Sequence, residues 1–287
     1  MKINFKQRVQ DALRRAGLYH RLKASRLYDL YWALADRRIL RRRDEELAFY
    51  RDSLTEMRPG ELIIDVGANQ GFKTDIFLRL GARVVAVDPD VANQEILDEK
   101  FMRFQLCKKP LTIVGKALGD QVGTEAMWET EPGSAKNTLN KKWVDTLKED
   151  ASRFGEVLEF EQKREVEVTT LEELFSAYGR PFYVKIDVEG YELMVLKGLQ
   201  TVVPMLSFEV NLPEFRPEAS QCIEVLNKLD TSARWNFVSD CTGAMAFRHW
   251  VGTNEMSATL DRCSMPSIEV FWKSERGLSD LRGSSGM

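Results

Sequence analysis

The sequence of 287 residues has only two histidines, His20 and His249, and only four cysteines, Cys107, Cys222, Cys241 and Cys263. Two histidines exclude a multi-histidine metal centre. With no CxxC spacing and no Cys/His pairing, neither zinc nor an iron–sulfur cluster finds a ligand set, and no metal ligands are assigned. Scattered cysteines fit free thiols in a reducing cytoplasm. No apolar run approaches the roughly 18 residues of a membrane-spanning helix, and no apolar stretch near the start has the pattern of a secretory signal. Internal repeats are also lacking.

What is present describes a cytoplasmic globular protein of one large domain with additions: 44% hydrophobic and 30% charged residues. The formal net charge of −3 hides an asymmetry, because residues 1–43 carry 13 Lys/Arg against 3 Asp/Glu, while the rest is acidic. Residues 1–58 read as a basic helical extension, with Leu13, Leu18, Leu22, Leu27, Leu30, Tyr31, Leu34, Ile39 and Leu40 at three- and four-residue steps. Such a helix can meet anionic lipid, nucleic acid or an acidic glycan. The plainer reading packs the apolar stripe on the domain and leaves Arg37, Arg38 and Arg41–Arg43 solvated. Pro59-Gly60 then marks the boundary of a domain running to 273, and the Gly/Ser-rich residues 274–287 read as a flexible tail.

The stretch from Leu62 to Asp90 carries the first functional signal. Leu62-Ile63-Ile64 and Asp65 lead into the turn Gly67-Ala68-Asn69-Gln70-Gly71, a helix follows, and Val84 to Val87 ends in Asp88. Glycines allow close approach to the main chain, and free N–H groups at a helix start attract negative charge. An acid about twenty residues after the turn has the spacing to accept ribose hydroxyls. A phosphate loop is disfavoured, since Phe72 stands where GxxxxGK[ST] needs glycine, and GxGxxG is not spelled out. An acid before GxxxG suits S-adenosylmethionine, with Asp65 toward the amino group and Asp88 toward the ribose.

Residues 91–103 read as a helix and Leu111–Leu118 as a third strand, placing Ala117 to Asp120 near the adenine. Met127-Trp128 and Val157–Val168 have strand character. Trp143, Leu147, Ala151 and Phe154 share a helical face, and the turn-rich 131–138 is long enough for a lid. The second signal is Phe182–Phe215: a buried strand ends in Asp187, Glu189-Gly190-Tyr191-Glu192 leads into a helix stopped at Gly198, and Met205–Val210 carries Glu209. Asp187, Glu189 and Glu209 are thereby expected at the sheet edge where the first unit places its ligand. A carboxylate there can take the proton of a hydroxyl as it is alkylated. Further on, 221–229 reads as a helix, and Asn236–Ser239 and Ser267–Trp272 as closing strands. Asp240–Gly243 and Arg248–Trp250 are candidate borders of the acceptor site, with His249 a weak candidate base.

Taken together, IDVGANQGFKT with VVAVDPD, GKALGD, VTTLEEL, FYVKIDVEGYELMVLKG and LSFEVN resemble the FkbM family of S-adenosylmethionine-dependent methyltransferases over roughly residues 61–211. The resemblance implies an α/β Rossmann-like fold (class I methyltransferase fold): a seven-stranded, mostly parallel sheet with a reversed last strand and flanking helices, here with the N-terminal helical extension. It implies O-methylation of a hydroxyl on a sugar, glycan or natural product, with S-adenosyl-L-methionine as cofactor and the need for a divalent cation left open. By position it assigns Asp65, Gly67, Asn69 and Gly71 to the methionine part and Asp88 to the ribose, and sets Asp187 with Glu189 beside the methyl. The expected partner is a small-molecule or glycan acceptor, with peripheral contact of the basic segment at an anionic membrane surface. Two alternatives stay open: a nucleic-acid methyltransferase or binding protein using that segment, which the lack of [ND]PP[FY] disfavours, and a non-catalytic cofactor-binding domain.

Overall fold

A computed structural model describes residues 37–106, 110–151 and 153–283. In chain order the elements are α1 (Arg37–Ser53), β1 (Leu62–Val66), α2 (Phe72–Arg79), β2 (Arg83–Val87), α3 (Val91–Leu106), β3 (Leu111–Val114), β4 (Ala117–Leu118), β5 (Gly123–Glu129) and α4 (Lys141–Glu149). They continue with β6 (Gln162–Thr169), α5 (Leu171–Tyr178), β7 (Tyr183–Ile186), α6 (Glu192–Lys197), β8 (Met205–Asn211), α7 (Arg216–Leu229), β9 (Arg234–Val238), α8 (Thr253–Arg262), β10 (Ser267–Lys273) and α9 (Glu275–Gly283).

Seven strands form one sheet in the order β3-β2-β1-β7-β8-β10-β9. The pairings from β3 to β8 are parallel, and β10 runs antiparallel to both its neighbours. The expected seven-stranded, mostly parallel sheet with a reversed last strand is therefore present. Its central strands are buried over their whole length, LIIDV in β1 and YVKI in β7, as a sheet covered on both faces requires. One face packs Ile64, Val66, Leu196, Phe208 and Trp272 against α5 to α8. The other packs Ile63, Phe77, Val84, Tyr183 and Phe271.

Three expectations change. Leu111–Leu118 is not one strand: β3 ends at Val114, and Ala117-Leu118 joins a second sheet, β4-β6-β5, whose strands pair through registers such as Ala117 with Val168 and Glu125 with Val166. The strand expected from Val157 begins at Gln162, and Phe154 lies beyond the end of α4, 41% exposed, while Trp143 and Leu147 are buried as expected. Pro59-Gly60 is a turn but not a packing boundary, because Phe49, Tyr50 and Leu54 share the core of Ile63 and Phe77. Arg41 and Arg42 are solvated and pair with Glu45 and Glu46, whereas Arg43 is largely covered. The amphipathic pattern before Arg37 lies outside the described residues.

Residues 275–283, expected as tail, form α9, started by the Ser274 hydroxyl accepting from Gly277 N at 2.9 Å. Leu278 and Leu281 rest on the α1 side of the sheet, and Arg282 pairs with Glu61 beside the start of β1. The Gly/Ser composition concealed a capping serine and two apolar residues three apart.

Candidate active site

A cavity of about 420 Å³ opens at the carboxyl ends of β1, β2 and β7, where an open α/β sheet offers room for a ligand. Asn69, Asp88 and Asn93 line it around the end of β2, Lys73, Lys185, Asp187 and Glu189 around the end of β7, and Gly67 lies between them at the end of β1. The second sheet supplies a wall through Ala117, Leu118 and Met127. Ser134, Ala135, Asn137 and Thr138, from the stretch expected as a lid, close another side. That stretch is strapped down: Gly133 N and Asn137 Nδ2 donate to Asp90 Oδ2 at 2.7 and 2.9 Å.

The turn after β1 works differently from the expectation. Gly67 takes φ +77, and a Cβ there would stand 1.7 Å from the Asp187 carbonyl oxygen, so its glycine lets two strand ends meet. Gly71, at φ +74, does the same against Leu97 and Phe101 of α3 and does not line the cavity. Asn69 does line it, at φ 47, and its N–H donates to Asp88 Oδ2 at 2.8 Å.

Asp88 is 6% exposed and saturated on one side: its Oδ1 accepts from Asp90 N at 2.9 Å and Asn93 Nδ2 at 3.2 Å. Burial pushes its carboxyl up to about 6, against these hydrogen bonds. Two other expected cofactor residues are not brought to the cavity. Asp65 is 1% exposed and accepts from Thr74 Oγ1 at 2.6 Å, which ties β1 to α2. It shares the face of Ile63 and of its register partner Lys185, but its carboxyl is covered by α2 through Thr74 and does not reach the opening. Asp120 is exposed on the turn beyond β4 and does not border the cavity, because the chain has already left for the second sheet; Ala117 does line it.

At the other end, the carboxyls of Asp187, Glu189 and Glu209 come within 4.8 Å of one another, as the sequence leads one to expect. Lys185, 2% exposed, donates to Asp187 Oδ2 at 2.7 Å. Burial opposes ionisation of Asp187, but Lys185 and a hydrogen bond from Glu209 hold its carboxyl below the ordinary range. Glu189 goes the other way: burial first, then the Asp187 charge, push it up to about 8. The Asp187 charge, with burial second, raises Glu209 well above the usual carboxylate value. Glu189 is held from three directions. Trp143 Nε1 donates to its Oε2 at 3.1 Å, Thr138 Oγ1 to its carbonyl at 2.8 Å, and its backbone takes φ 53, a costly angle outside glycine.

The family model of the FkbM methyltransferase domain matches residues 65–238. The chain belongs to this family. No curated protein matches the chain significantly. Solved structures give distant likenesses. Plantazolicin methyltransferase BpumL in complex with SAH is 10% identical over 94% of this chain and 99% of that one, at TM-score 0.39. Precorrin-6y C5,15-methyltransferase from Geobacter metallireducens GS-15 is 10% identical over 81% and 88%, at 0.37. A TehB-like SAM-dependent methyltransferase from Corynebacterium glutamicum is 9% identical over 80% and 88%, at 0.40. The family match carries the identification: the protein is an S-adenosylmethionine-dependent methyltransferase with a class I fold.

The cavity of this FkbM domain fits that cofactor in its donor set, since it joins a buried acid near main-chain N–H groups to a cluster that can face a cationic centre. The three acids also have the spacing to share a cation, although Lys185 already places an ammonium among them. Asp240–Gly243 and Arg248–Trp250, expected at the acceptor border, lie elsewhere: Thr242, Gly243 and Trp250 line a separate cleft with Glu45, Phe49 and Asp52 of α1, and His249 is exposed. The residues that the sequence did not single out are Lys185, Lys73 and the Asp90 strap. Lys185 alternates with Asp187 along β7 and so shares its face, a signal present in VKID. Nothing local tied Asp90 to residues 133 and 137. Among the described residues, no helix is long and apolar enough to cross a membrane.

Proposed function

We propose that this methyltransferase is an O-methyltransferase acting on a hydroxyl of a sugar, glycan or natural product. The observation that carries the reading is one cavity with Asp88 at one end and Asp187 and Glu189, backed by Glu209, at the other. When bound, S-adenosylmethionine supplies an electrophilic methyl group to an acceptor aligned behind it. At the cofactor end, Asp88 takes ribose hydroxyls and the Gly67–Asn69 main chain supports the methionine part. At the acceptor end, Asp187, kept ionised by Lys185, orients the hydroxyl, and Glu189 accepts its proton. A proton affinity near the working pH suits Glu189 to that role. Glu209, outside the cavity wall, hydrogen-bonds Asp187 from behind.

The basic charge of residues 1–43 favours peripheral contact with an anionic surface in the cytoplasm, while a bound acceptor requires no nucleic acid. Incubation with labelled S-adenosylmethionine and a panel of glycans, lipids and natural products tests the reading. Transfer of label to an acceptor hydroxyl supports it. Transfer to carbon, nitrogen or nucleic acid alone would overturn it.

A further inference from the structure

Between β5 and the first turn of α4, the chain sends three side chains to one dipeptide at the end of β7, 46 to 51 residues away. Thr138 Oγ1 donates to the Glu189 carbonyl at 2.8 Å, Asn140 Nδ2 to the Gly190 carbonyl, and Trp143 Nε1 to Glu189 Oε2 at 3.1 Å. The three are locked to one another. Asn140 N donates to Thr138 Oγ1 at 2.9 Å, and Asn140 caps α4, its Oδ1 accepting from Trp143 N at 3.3 Å. The residue that holds the Gly190 carbonyl therefore also sets the direction of the indole. Thr138 exchanges main-chain hydrogen bonds with Trp128 of β5, which ties the grip to the second sheet. Trp143 itself is 1% exposed, packed edge-on against Phe215 at 5.4 Å and beneath the Arg153 guanidinium. Burial alone does not force such a bond here, since Trp272 Nε1 is equally buried and meets no acceptor among the described residues. An indole N–H only donates, so its placement against a carboxyl favours the ionised form.

We infer that Trp143 is a positioning residue for methyl transfer: its indole N–H holds Glu189 Oε2 and leaves the other oxygen of that carboxyl to take the acceptor's proton. The inference rests on the reading of Glu189 as the proton acceptor, and it gives the second sheet and α4 a part in the chemistry. Glu189 faces Asp187 and Lys185 from its own strand, Glu192 from α6 and Glu209 from β8. Burial, then the Asp187 charge, raise its proton affinity, while the Trp143 N–H and Lys185 lower it. Removing the N–H and keeping an aromatic ring should raise it further.

The test is a pH titration by NMR of the full chain carrying ¹³C-labelled glutamate and ¹⁵N-labelled tryptophan, with the Glu189 carboxyl assigned by its loss in Glu189→Gln. One of the six indole N–H signals should follow the midpoint of that carboxyl, about pH 8, and should stop titrating in Glu189→Gln. Trp143→Phe should raise the midpoint by about half to one pH unit. Leu147→Ala, in the same small core but without a hydrogen bond to Glu189, should lower the melting temperature at least as far and leave the midpoint within about 0.2 units. With an acceptor from the labelling panel, Trp143→Phe should transfer methyl about three- to tenfold more slowly at pH 7, and the deficit should shrink above about pH 9, as it must for a base that has become harder to deprotonate. An unshifted midpoint in Trp143→Phe, an equal shift in Leu147→Ala, or a deficit that is the same at both pH values overturns the inference. Should Trp143→Phe fail to fold, the wild type still decides: without an indole signal that titrates together with Glu189, the inference is refuted. A Glu189 carboxyl that titrates near the ordinary value of about 4 overturns the proton-acceptor reading itself. A carboxyl near 8 with indifferent indoles overturns only the inference.

Discussion

The two ends of the cavity keep acidic groups buried in opposite ways. Around Asp88 the carboxylate is satisfied by main-chain and amide N–H groups, Asn69, Asp90 and Asn93, which are fixed in place by the turn and the start of α3. Around Asp187 the carboxyls crowd one another, and the Lys185 ammonium, aided by Lys73, keeps one of them charged while the proton affinity of the others rises. The first arrangement holds its carboxylate with neutral N–H donors and no counter-charge. The second holds a proton acceptor close to neutrality. Under the proposed function, that difference divides cofactor recognition from chemistry within one cavity.

The comparison breaks most visibly at Asp187. Asp187→Asn should lower turnover about 10³-fold while the Kd for S-adenosylhomocysteine moves less than threefold, measured by single-turnover kinetics and calorimetry. A large loss of cofactor binding would merge the two ends. Next comes Gly67, whose missing Cβ lets β1 and β7 meet: Gly67→Ala should cost about 3 kcal/mol in chemical denaturation, because the neighbouring atom is backbone and cannot turn aside. Asp88→Asn should show the reverse of Asp187→Asn, with Kd for S-adenosylhomocysteine rising about tenfold and turnover at saturating cofactor falling less than threefold.

A smaller effect tests the electrostatic half of the contrast. Asp88 at about 6 and Glu189 at about 8 both sit above their unfolded values near 4. A raised carboxyl contributes stability that is fully present below the unfolded pKa and lost as pH rises through the folded one. The melting temperature without ligand should therefore fall by a few degrees between about pH 5 and pH 8.5. Asp88→Asn should flatten the lower part of that fall and Glu189→Gln the upper part. The smallest effect is expected from chelation: with Lys185 providing the cation, EDTA followed by added Mg²⁺ should change turnover less than twofold, and a tenfold dependence would assign the acids to a metal instead.

The legible parts of this protein were those whose signal is local. The β1-turn-α2-β2 unit reads from its apolar runs and the glycines at 67 and 71, and β7 with Asp187 reads from YVKI followed by an acid and a glycine. The second sheet did not, since β4 is two residues long and exists only because Ala117 and Leu118 find Val168 and Thr169, about fifty residues away. Asp65 was misplaced because an acid at a strand end looks the same whether it faces a ligand or, as here, the Thr74 hydroxyl. Residues 37–58 were set apart by their arginines, although Tyr50 is fully buried against Phe77.

By itself the sequence determined the alternation of strands and helices, the order of the parallel units and the acids at their carboxyl ends, because periodicity and turn chemistry act within a few residues. The tertiary structure decided which of those acids share a cavity, which lysine neutralises them and which N–H groups hold Asp88. Those outcomes depend on burial and on donors brought in from distant segments, and a buried polar group takes whatever partner the packed chain places within hydrogen-bond reach.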